Sequence, residues 1–572
     1  MVKSVAGLAL GLAALASATF GPPAVAAHAS ATGAAHAPWW THAVIYEIYP
    51  RSFQDSNGDG VGDLNGVTQR LDYLKRLGVD AIWLTPFYPS PNYDFGYDVA
   101  DYTNVAPEYG TMADWDRLVA AARKRGIRVL VDFVLNHSSS EHPWFQQSRA
   151  SRTNPKRDWY VWHDPAPDAR GVGGPPTNWQ SIFGGSAWTL DPATGQYYYH
   201  IFLPQQPDLN WRNPGLRKAM HDVMRFWLRH GASGFRLDAT PYLLEDTAWP
   251  QDPDPAGGAP VGLKPYNAGL PGNHPIMRGL RSIVDRFPGD CVLLGESNIA
   301  TIADLAKVYG AHQDEINLPM DFLYSGVQKL DAVVFKARID DAETRLNGAP
   351  PVLFFSNHDS SRQATRFGDG VHDAQIARLT AAMTLTVRGT ALVYYGEELG
   401  MTDLPKAALA TVPLGPTRKV ADNRDPERTP MQWTGAAGAG FSTGTPWLPV
   451  NPAAAASNAA AERADPGSLY SWYHDLIALR RTNPALRNGA YVPLESGNPK
   501  VLAFARQTAK GQGVLIVLNM SDAPQRVHIA GWPGRAPVAV RTVLASPAAA
   551  APGLTDAQLA PFAVRLTAYV TD

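Results

Sequence analysis

The chain has 572 residues, with 50 Lys and Arg against 52 Asp and Glu and a formal charge of −2. That balance argues against nucleic acid or an anionic membrane as the main partner, because both are usually met by a strongly basic face. A hydrophobic content of 45%, with 16 Trp, 22 Tyr and 19 Phe, excludes a disordered chain; at roughly 100–200 residues per domain the length implies several domains.

In chain order, Lys3 is followed by an apolar run from Val5 to Ala18 and the small-residue triplet Ala24-Val25-Ala26. This predicts a cleavable export signal over residues 1–27, with an uncleaved anchor as the alternative. The run is shorter than the about 20 apolar residues of a membrane span. Export implies the periplasm or the extracellular medium, with no membrane attachment after cleavage. Residues 28–37 are Ala- and His-rich and read as a disordered linker.

From Pro38 onward short apolar runs alternate with amphipathic segments, the pattern of repeated βα units. Strands are predicted at Val44–Phe53, Ala81–Tyr88, Arg128–His137, Gly234–Ala239, Val292–Ser297, Ile316–Phe322, Pro351–Asp359 and Thr390–Glu398. Helices are predicted at Leu64–Gly78, Asp114–Gly126, Pro214–Gly231, Pro275–Phe287, Ile299–Gly310, His372–Gly389 and Ser468–Gly489. Eight such units make an α/β (β/α)8 TIM barrel. An open doubly wound sheet is the alternative, but no Gly-rich phosphate loop follows the first strand. Residues 138–206, rich in Trp, Tyr, Pro and Gly, read as a lobe inserted after the third strand. The barrel then comprises residues 38–137 and 207–489. Residues 490–572 carry the strand-like runs Val501–Gln507, Gly513–Met520, Gln525–Ala530, Pro537–Leu544 and Phe562–Val570, which predict a C-terminal antiparallel β-sandwich. Cys291 is the only cysteine, so no intrachain disulfide or cysteine-based zinc cluster can form, and it reads as a buried small residue.

Chemistry in such a barrel belongs at the C-terminal strand ends. Strand three ends in Asp132-Phe-Val-Leu-Asn136-His137, strand four in Gly234-Phe-Arg236-Leu-Asp238, strand five in Gly295-Glu296-Ser297 and strand seven in Asn357-His358-Asp359. One carboxylate at a strand end is often only the cap of the next helix. Three of them beside an Arg, two His and many aromatics suit glycosidic chemistry. That chemistry needs one carboxyl group to protonate the leaving oxygen and one carboxylate to meet an oxocarbenium-like transition state.

In that order, with Ser356 opening the last motif, these four motifs resemble those of the α-amylase-type retaining glycoside hydrolases (family 13). The segments Asp94-Phe-Gly-Tyr97-Asp98, Gln206-Pro-Asp-Leu-Asn210 and Arg424-Asp-Pro-Glu-Arg-Thr-Pro-Met-Gln-Trp433 are similar to the α-glucosidase and oligo-1,6-glucosidase branch. The resemblance implies Asp238 as nucleophile, kept ionised by Arg236, and Glu296 as general acid and then base. It implies Asp359 on the ring hydroxyls, with His137 and His358 binding the same glucose. Asp94 and Arg424 would grip the far hydroxyls, Tyr97 would stack beneath the ring, and Phe183 and Phe202 would line the entrance, a plain packing role being as compatible with Phe183. The substrate would be a disaccharide or oligosaccharide α-glucoside.

The run Asp55-Ser-Asn57-Gly-Asp59-Gly-Val61-Gly-Asp63 sets oxygen donors at alternating positions, like the first part of an EF-hand loop without its closing Glu. The resemblance implies a structural Ca2+ or Mg2+ held by the side chains of Asp55, Asn57, Asp59 and Asp63 and the carbonyl of Val61; a metal-free Asx/Gly turn is the alternative. In related enzymes the residue after the nucleophile tends to be Val for α-1,6 cleavage and Ala or Thr for α-1,4. Here Ala239 and then Thr240 follow, so α-1,4 bonds are the expected preference. The stretch Gly234-Phe-Arg-Leu-Asp-Ala-Thr-Pro-Tyr242 is also similar to trehalose synthases, which leaves an isomerase or an α-transglucosidase as alternatives. A non-catalytic transporter subunit is disfavoured because all three acids are present.

Overall fold

The computed structural model describes residues 38–167, 173–254, 263–410, 412–415, 422–533, 537–546 and 555–571; the predicted export signal and linker lie outside them. Three strands come first, β1 (Val44–Ile48), β2 (Ala81–Leu84) and β3 (Arg128–Val134), and the lobe contributes β4 (Trp162–His163), β5 (Trp188–Asp191) and β6 (Gln196–Tyr199). The chain then continues through β7 (Gly234–Asp238), β8 (Val292–Gly295), β9 (Leu318–Pro319), β10 (Val352–Leu353) and β11 (Thr390–Tyr394). The eight non-lobe strands pair in parallel in the order β10-β11-β1-β2-β3-β7-β8-β9, and a parallel bridge between Met320 and Val352 joins the two ends. The result is a TIM barrel with a lobe inserted after its third strand.

Local chemistry sets the helix ends. Asp63 caps Leu64–Leu77 by accepting from Gly66 N at 2.7 Å, and Gly78 closes that helix at φ 101°, a conformation open to glycine. Thr111 and Asp114 form a capping box at the start of Met112–Lys124. Between β9 and β10 stands Ala332–Arg345, one of the helices that alternate with the strands, for which the sequence pattern gives no bounds. Its apolar residues do not keep to one face, since Val333 and Val334 are exposed while Phe335 and Ile339 are buried, and the 3.6-residue period is blurred.

Several barrel strands are shorter than their apolar runs. Ile316–Phe322 forms a strand only at Leu318–Pro319, with a single further bridge at Met320, and Pro351–Asp359 only at Val352–Leu353. Pro319 has no N–H to continue a ladder. Past Leu353 the chain stays buried, with Phe354 in the barrel interior and Phe355 in the outer layer, but it turns to present Asn357, His358 and Asp359 at the mouth. Val44–Phe53 likewise leaves the ladder after Ile48 and makes a helical turn at Pro50–Phe53, and Thr390–Glu398 leaves it after Tyr394.

Side chains alternate between barrel interior and outer layer with a period of two. The lower interior is apolar, filled by Ile45, Ala81, Trp83, Leu130, Val292, Leu294, Leu318, Val352 and Leu392. Two residues further along β1, β3 and β7 the same face carries Glu47, Asp132 and Arg236, all buried, and one further step on β7 carries Asp238. The polar site therefore sits directly on an apolar plug.

In the lobe, β4, β6 and β5 form an antiparallel sheet, preceded by a helix, Pro143–Ala150, that the Trp- and Pro-rich composition hides. Its core is Trp179, Trp188, Tyr199 and Ile201, packed with Tyr242 and Tyr266. At the C-terminus, β12 (Ala490–Pro493), β13 (Val501–Gln507), β14 (Gln512–Asn519), β15 (Gln525–His528), β16 (Val538–Ala545), β17 (Asp556–Leu559) and β18 (Val564–Val570) build two antiparallel sheets, β12-β13-β14-β18-β16 and β15-β17. Alternate residues of β13 and β14 face opposite ways. Val501, Ala503, Leu515 and Val517 fill the sandwich, while Leu502, Phe504, Val514 and Ile516 join the core shared with the barrel helices. Both faces of the larger sheet are thus buried, which explains its nearly continuous apolar strands.

Candidate active site

Arg236 and Asp238 lie on one face of β7 because they are two residues apart. The Arg236 guanidinium is the hub: Nη1 donates to Asp238 Oδ1 at 2.5 Å and to the two Asp132 oxygens at 3.3 and 3.4 Å, while Nη2 donates to Glu296 Oε2 at 2.7 Å. It also lies 4.9 Å from the ring centre of Trp83. Glu296 follows β8, and its Oε2 accepts from Ala239 N at 3.0 Å as well. The backbone N–H next to Asp238 thereby orients the second acid.

One cation serving three carboxylates leaves an electrostatic surplus. Burial, foremost, pushes the Asp238 carboxyl well above the usual range; Arg236 opposes this, and repulsion from Glu296 and Asp132 adds to it. Asp132 is raised to about 6 by burial, against the pull of Arg236 and His358. Arg236 favours the ionised form of Asp238, as expected, but it is shared with Asp132 and Glu296.

On the opposite wall, Asp359 is clamped by two arginines. Its Oδ1 accepts from Arg424 Nη1 at 2.8 Å and Arg428 Nη2 at 2.7 Å, and its Oδ2 lies 3.1 Å from His358 Nε2. Burial would raise this carboxyl, but His358, Arg424 and Arg428 outweigh it and hold it well below the usual range. Its side chain is nevertheless 34% exposed, so it faces the pocket. Arg424 also donates to Asp94 Oδ1 at 2.5 Å and to Asp422. Asp94 is placed by the loop after β2, where Asp98 accepts from the backbone N–H groups of Tyr93 and Asp94 and from Ser90 Oγ. Tyr97, on the same loop, stacks on His358 with ring centres 5.3 Å apart and planes at 7°.

At the mouth, His137 Nε2 lies 3.1 Å from Gln206 Nε2, which donates to Asp94 Oδ2 at 2.9 Å. Burial lowers His137 to about 3, so it is neutral. Phe202 stands edge-on to His137 at 5.1 Å and to Tyr242 at 5.9 Å. Phe183 is 47% exposed at the rim, 5.8 Å from Phe202 and 5.7 Å from the Arg424 guanidinium. The structure therefore brings Asp94, Tyr97, His137, Phe183, Phe202, Arg236, Asp238, Glu296, His358, Asp359 and Arg424 around one pocket at the C-terminal ends of the barrel strands.

The α-amylase catalytic-domain model matches residues 47–489, a span that holds every one of these side chains. The chain belongs to the α-amylase family of glycoside hydrolases. It is 40% identical over 504 residues to a probable alpha-glucosidase of Rhizobium meliloti (strain 1021), covering 85% of this chain and 90% of that one. It is 37% identical over 525 residues to an oligo-1,6-glucosidase of Heyndrickxia coagulans, covering 85% and 92%. Among solved structures, the trehalulose synthase of Pseudomonas mesoacidophila MX-45 superposes with a TM-score of 0.83 at 38% identity, covering 94% of this chain and 100% of that one. Residues 499–567 match the C-terminal immunoglobulin-like domain of D-apionate lactonase. The chain is thus a glycoside hydrolase with α-glucosidase and oligo-1,6-glucosidase relatives.

Four residues of this α-amylase-family site escaped sequence reasoning as site residues: Asp132, Glu47, Asp422 and Arg428. Asp132 stands inside a quoted motif, and its inward parity with Arg236 was the available signal. Arg428 lies four residues after Arg424 within a quoted segment, where its reach to Asp359 had no sequence signal.

The loop of Asp55, Asn57, Asp59, Val61 and Asp63 precedes the first barrel helix and is built from Asx turns. Asp55 Oδ1 accepts from Asn57 N and Gly58 N, its Oδ2 from Gly60 N and Ser442 Oγ, and Asp59 Oδ1 from Val61 N. Among the described residues no group of three or more His, Cys, Asp or Glu converges as a metal site. The oxygen donors are nevertheless hard, and Asp55 and Asp63 repel each other: burial, with that repulsion added, raises Asp63.

Proposed function

We propose that this protein is an exo-acting, retaining α-glucosidase that releases glucose from the non-reducing end of short α-glucosides, with α-1,4 bonds preferred. The observation that carries this reading is the Asp94–Arg424–Asp359 chain of ion pairs, which places three charged hydrogen-bonding groups together on the wall opposite Asp238 and Glu296. Such a wall suits a terminal glucose with its hydroxyls bound, and the exo-action proposed here follows from that fit.

In this reading Glu296 gives its proton to the glycosidic oxygen while an Asp238 oxygen bonds to the anomeric carbon and the aglycone leaves. Glu296, now ionised, takes a proton from water, whose oxygen displaces Asp238 and restores the starting charges. Two inversions give net retention, the outcome expected when two carboxyl groups stand about 5–5.5 Å apart. Asp359, His358 and His137 hold hydroxyls of the same glucose, Tyr97 packs beneath the ring, and Phe183 and Phe202 line the approach. The small Ala239 leaves room for the leaving sugar of maltose.

The decisive experiment is an NMR time course on maltose, isomaltose, trehalose and sucrose, following anomeric signals. Release of α-glucose first from maltose, ahead of isomaltose, is the expected result; release of β-glucose, or no hydrolysis, overturns the reading. A second reading, transglucosylation or isomerisation on the same acids, is favoured by the likeness to a trehalulose synthase, and new disaccharides or longer glucosides in the same spectra support it.

We also propose that Asp55, Asn57, Asp59 and Asp63, with the Val61 carbonyl, hold a structural Ca2+ or Mg2+. About one equivalent of metal should be found in purified protein, and its removal by a chelator should lower the Tm without changing the linkage preference. Absence of bound metal, or an unchanged Tm, counts against it. We propose likewise that residues 1–27 act as a cleaved export signal and that the mature enzyme works in the periplasm or the medium; N-terminal sequencing of secreted protein tests this.

A further inference from the structure

The catalytic pocket has a buried layer behind it that the proposed chemistry does not use. Glu47 lies on β1, in register with Trp83 of β2 and Tyr394 of β11. A single oxygen, Oε1, accepts from both the ring and the backbone of His358, at 2.6 Å from Nδ1 and 3.2 Å from the backbone N. Both residues are fully buried.

The hydrogen-bond directions around the imidazole are over-determined. Tyr97 has one hydroxyl proton, and its oxygen lies 2.9 Å from Asp132 Oδ2 and 2.8 Å from His358 Nε2. Asp132 Oδ2 also accepts from Trp83 Nε1 at 3.0 Å, and Asp132 receives Arg236, so it acts as an ionised acceptor. The Tyr97 proton goes to Asp132, and the Tyr97 oxygen must therefore accept from His358 Nε2–H. At the other end Nδ1–H points at Glu47. Both ring nitrogens donate, which only an imidazolium can do.

We propose that Glu47 is a positioning residue that fixes His358 as an imidazolium and so aims a charged Nε2–H donor at the edge of the glucose pocket, beside Asp359. This rests on the α-glucosidase reading above for its catalytic consequence, but not for the charge state itself. The groups facing His358 are consistent with it. Asp359 adjoins it in the chain, Tyr49 stacks on it, Trp83 is edge-on, Arg428 Nε donates to its carbonyl at 2.7 Å, and Tyr97 and Asp132 complete the far side. Burial would lower the His358 pKa, but Asp359 and Glu47 outweigh it and bring it to about 9. Loss of Glu47 would remove one of the two anions that hold the ring charged.

The test is Glu47→Gln, which keeps an acceptor and the side-chain volume but removes the charge, with Glu47→Asp as a variant that keeps the charge. Two readouts are taken: kcat/KM against pH on an aryl α-glucoside, and the His358 ring signals in histidine-labelled, substrate-free protein, assigned by a His358 variant. In wild type the ring should stay cationic at pH 8. In Glu47→Gln it should become neutral at that pH, and the alkaline limb of activity should move down by at least one pH unit. The activity loss should be about tenfold or more at pH 8.5 and only a few-fold at pH 6. Glu47→Asp should restore the limb at least in part. An unchanged limb and ring titration in Glu47→Gln overturn the proposal, as does a neutral His358 in wild type at pH 7. If Glu47→Gln does not fold, Glu47→Asp and the wild-type ring titration still decide. If wild type has no α-glucosidase activity, that reading fails by itself while the ring signals test the charge state.

Discussion

The lower and upper halves of the barrel interior are made by the same strands, often two residues apart, yet they obey opposite rules. Below, Ile45, Leu130, Val292 and Leu294 fill space and carry no polar atom; above, Glu47, Asp132, Arg236 and Asp238 place charge after charge in the same buried column. The lower half is held together by the hydrophobic effect and close packing. The upper half resists its own burial, and it persists because His358, Arg236, Arg424 and Arg428 are interleaved with Glu47, Asp132, Asp238, Glu296 and Asp359. The difference separates residues kept for stability from residues kept for chemistry.

Substitutions in the two halves should therefore dissociate activity from stability. The largest effect is expected from Asp238→Ala: hydrolysis should fall by at least about 10³-fold, as for other residues that act as a catalytic unit, while the Tm stays the same or rises. The Tm is not expected to fall because burial already works against this carboxyl. Turnover near wild type in steady-state assays would show that another group is the nucleophile. Next in size is Leu294→Ala, in the plug. It should cost about 2–5 kcal/mol in urea unfolding, with kcat per folded molecule nearly unchanged. If activity falls in step with Asp238→Ala, the two halves are not separable.

The third prediction concerns pH. His358 is held at about 9, above the ordinary value of 6.5. A raised histidine pKa contributes stability that is complete below about 6.5 and lost as pH rises through about 9. The shift corresponds to a decline on the order of 3 kcal/mol across that window, carried mainly by the attraction to Asp359 and Glu47. Glu397 and Glu427, raised to about 8 chiefly by burial, act in the same direction, since a buried acid with a raised pKa costs stability once pH exceeds its unfolded value. Urea unfolding from pH 6 to 9.5 should show a falling stability in wild type and a shallower fall in His358→Gln. Parallel curves would show that His358 is not charged in the folded state.

Much of this contrast was legible in the sequence, for physical reasons. Arg236 and Asp238 share a face because strands have a period of two, and Glu296 and Asp359 follow apolar runs long enough to be recognised as barrel strands. The lengths of β9 and β10 were not legible, because Phe354 and Phe355 stay buried after pairing has stopped. The bounds of Ala332–Arg345 were obscured by two exposed valines. The Arg428 clamp on Asp359 and the Glu47 contact with His358 join residues 69 and 311 positions apart, and no local pattern encodes such a pairing. The sharing of Arg236 was not legible for the same reason, since it involves Asp132 from β3 and Glu296 from beyond β8.

The smallest expected effect lies at the boundary of the two halves, at Ala239. This residue sits at φ 51° and ψ 40°, a left-handed conformation, and its N–H holds Glu296 Oε2. Its side chain packs in the aromatic cluster that includes Tyr199 and Tyr242. Valine there adds bulk beside Asp238 and Glu296, and it also places a β-branched side chain where such residues are strained. Ala239→Val should therefore lose about 1–3 kcal/mol of stability. Its kcat/KM ratio for isomaltose over maltose should rise about tenfold, a change of about 1.4 kcal/mol in relative transition-state energy. Ala239→Gly separates the two terms, since glycine relieves the backbone and removes the bulk. It should keep or raise stability without raising the ratio of isomaltose to maltose turnover. If Ala239→Val lowers the Tm but leaves the linkage ratio where it was, bulk at this position does not choose the bond. The choice then passes to the lobe residues Phe183 and Phe202 at the rim of the pocket.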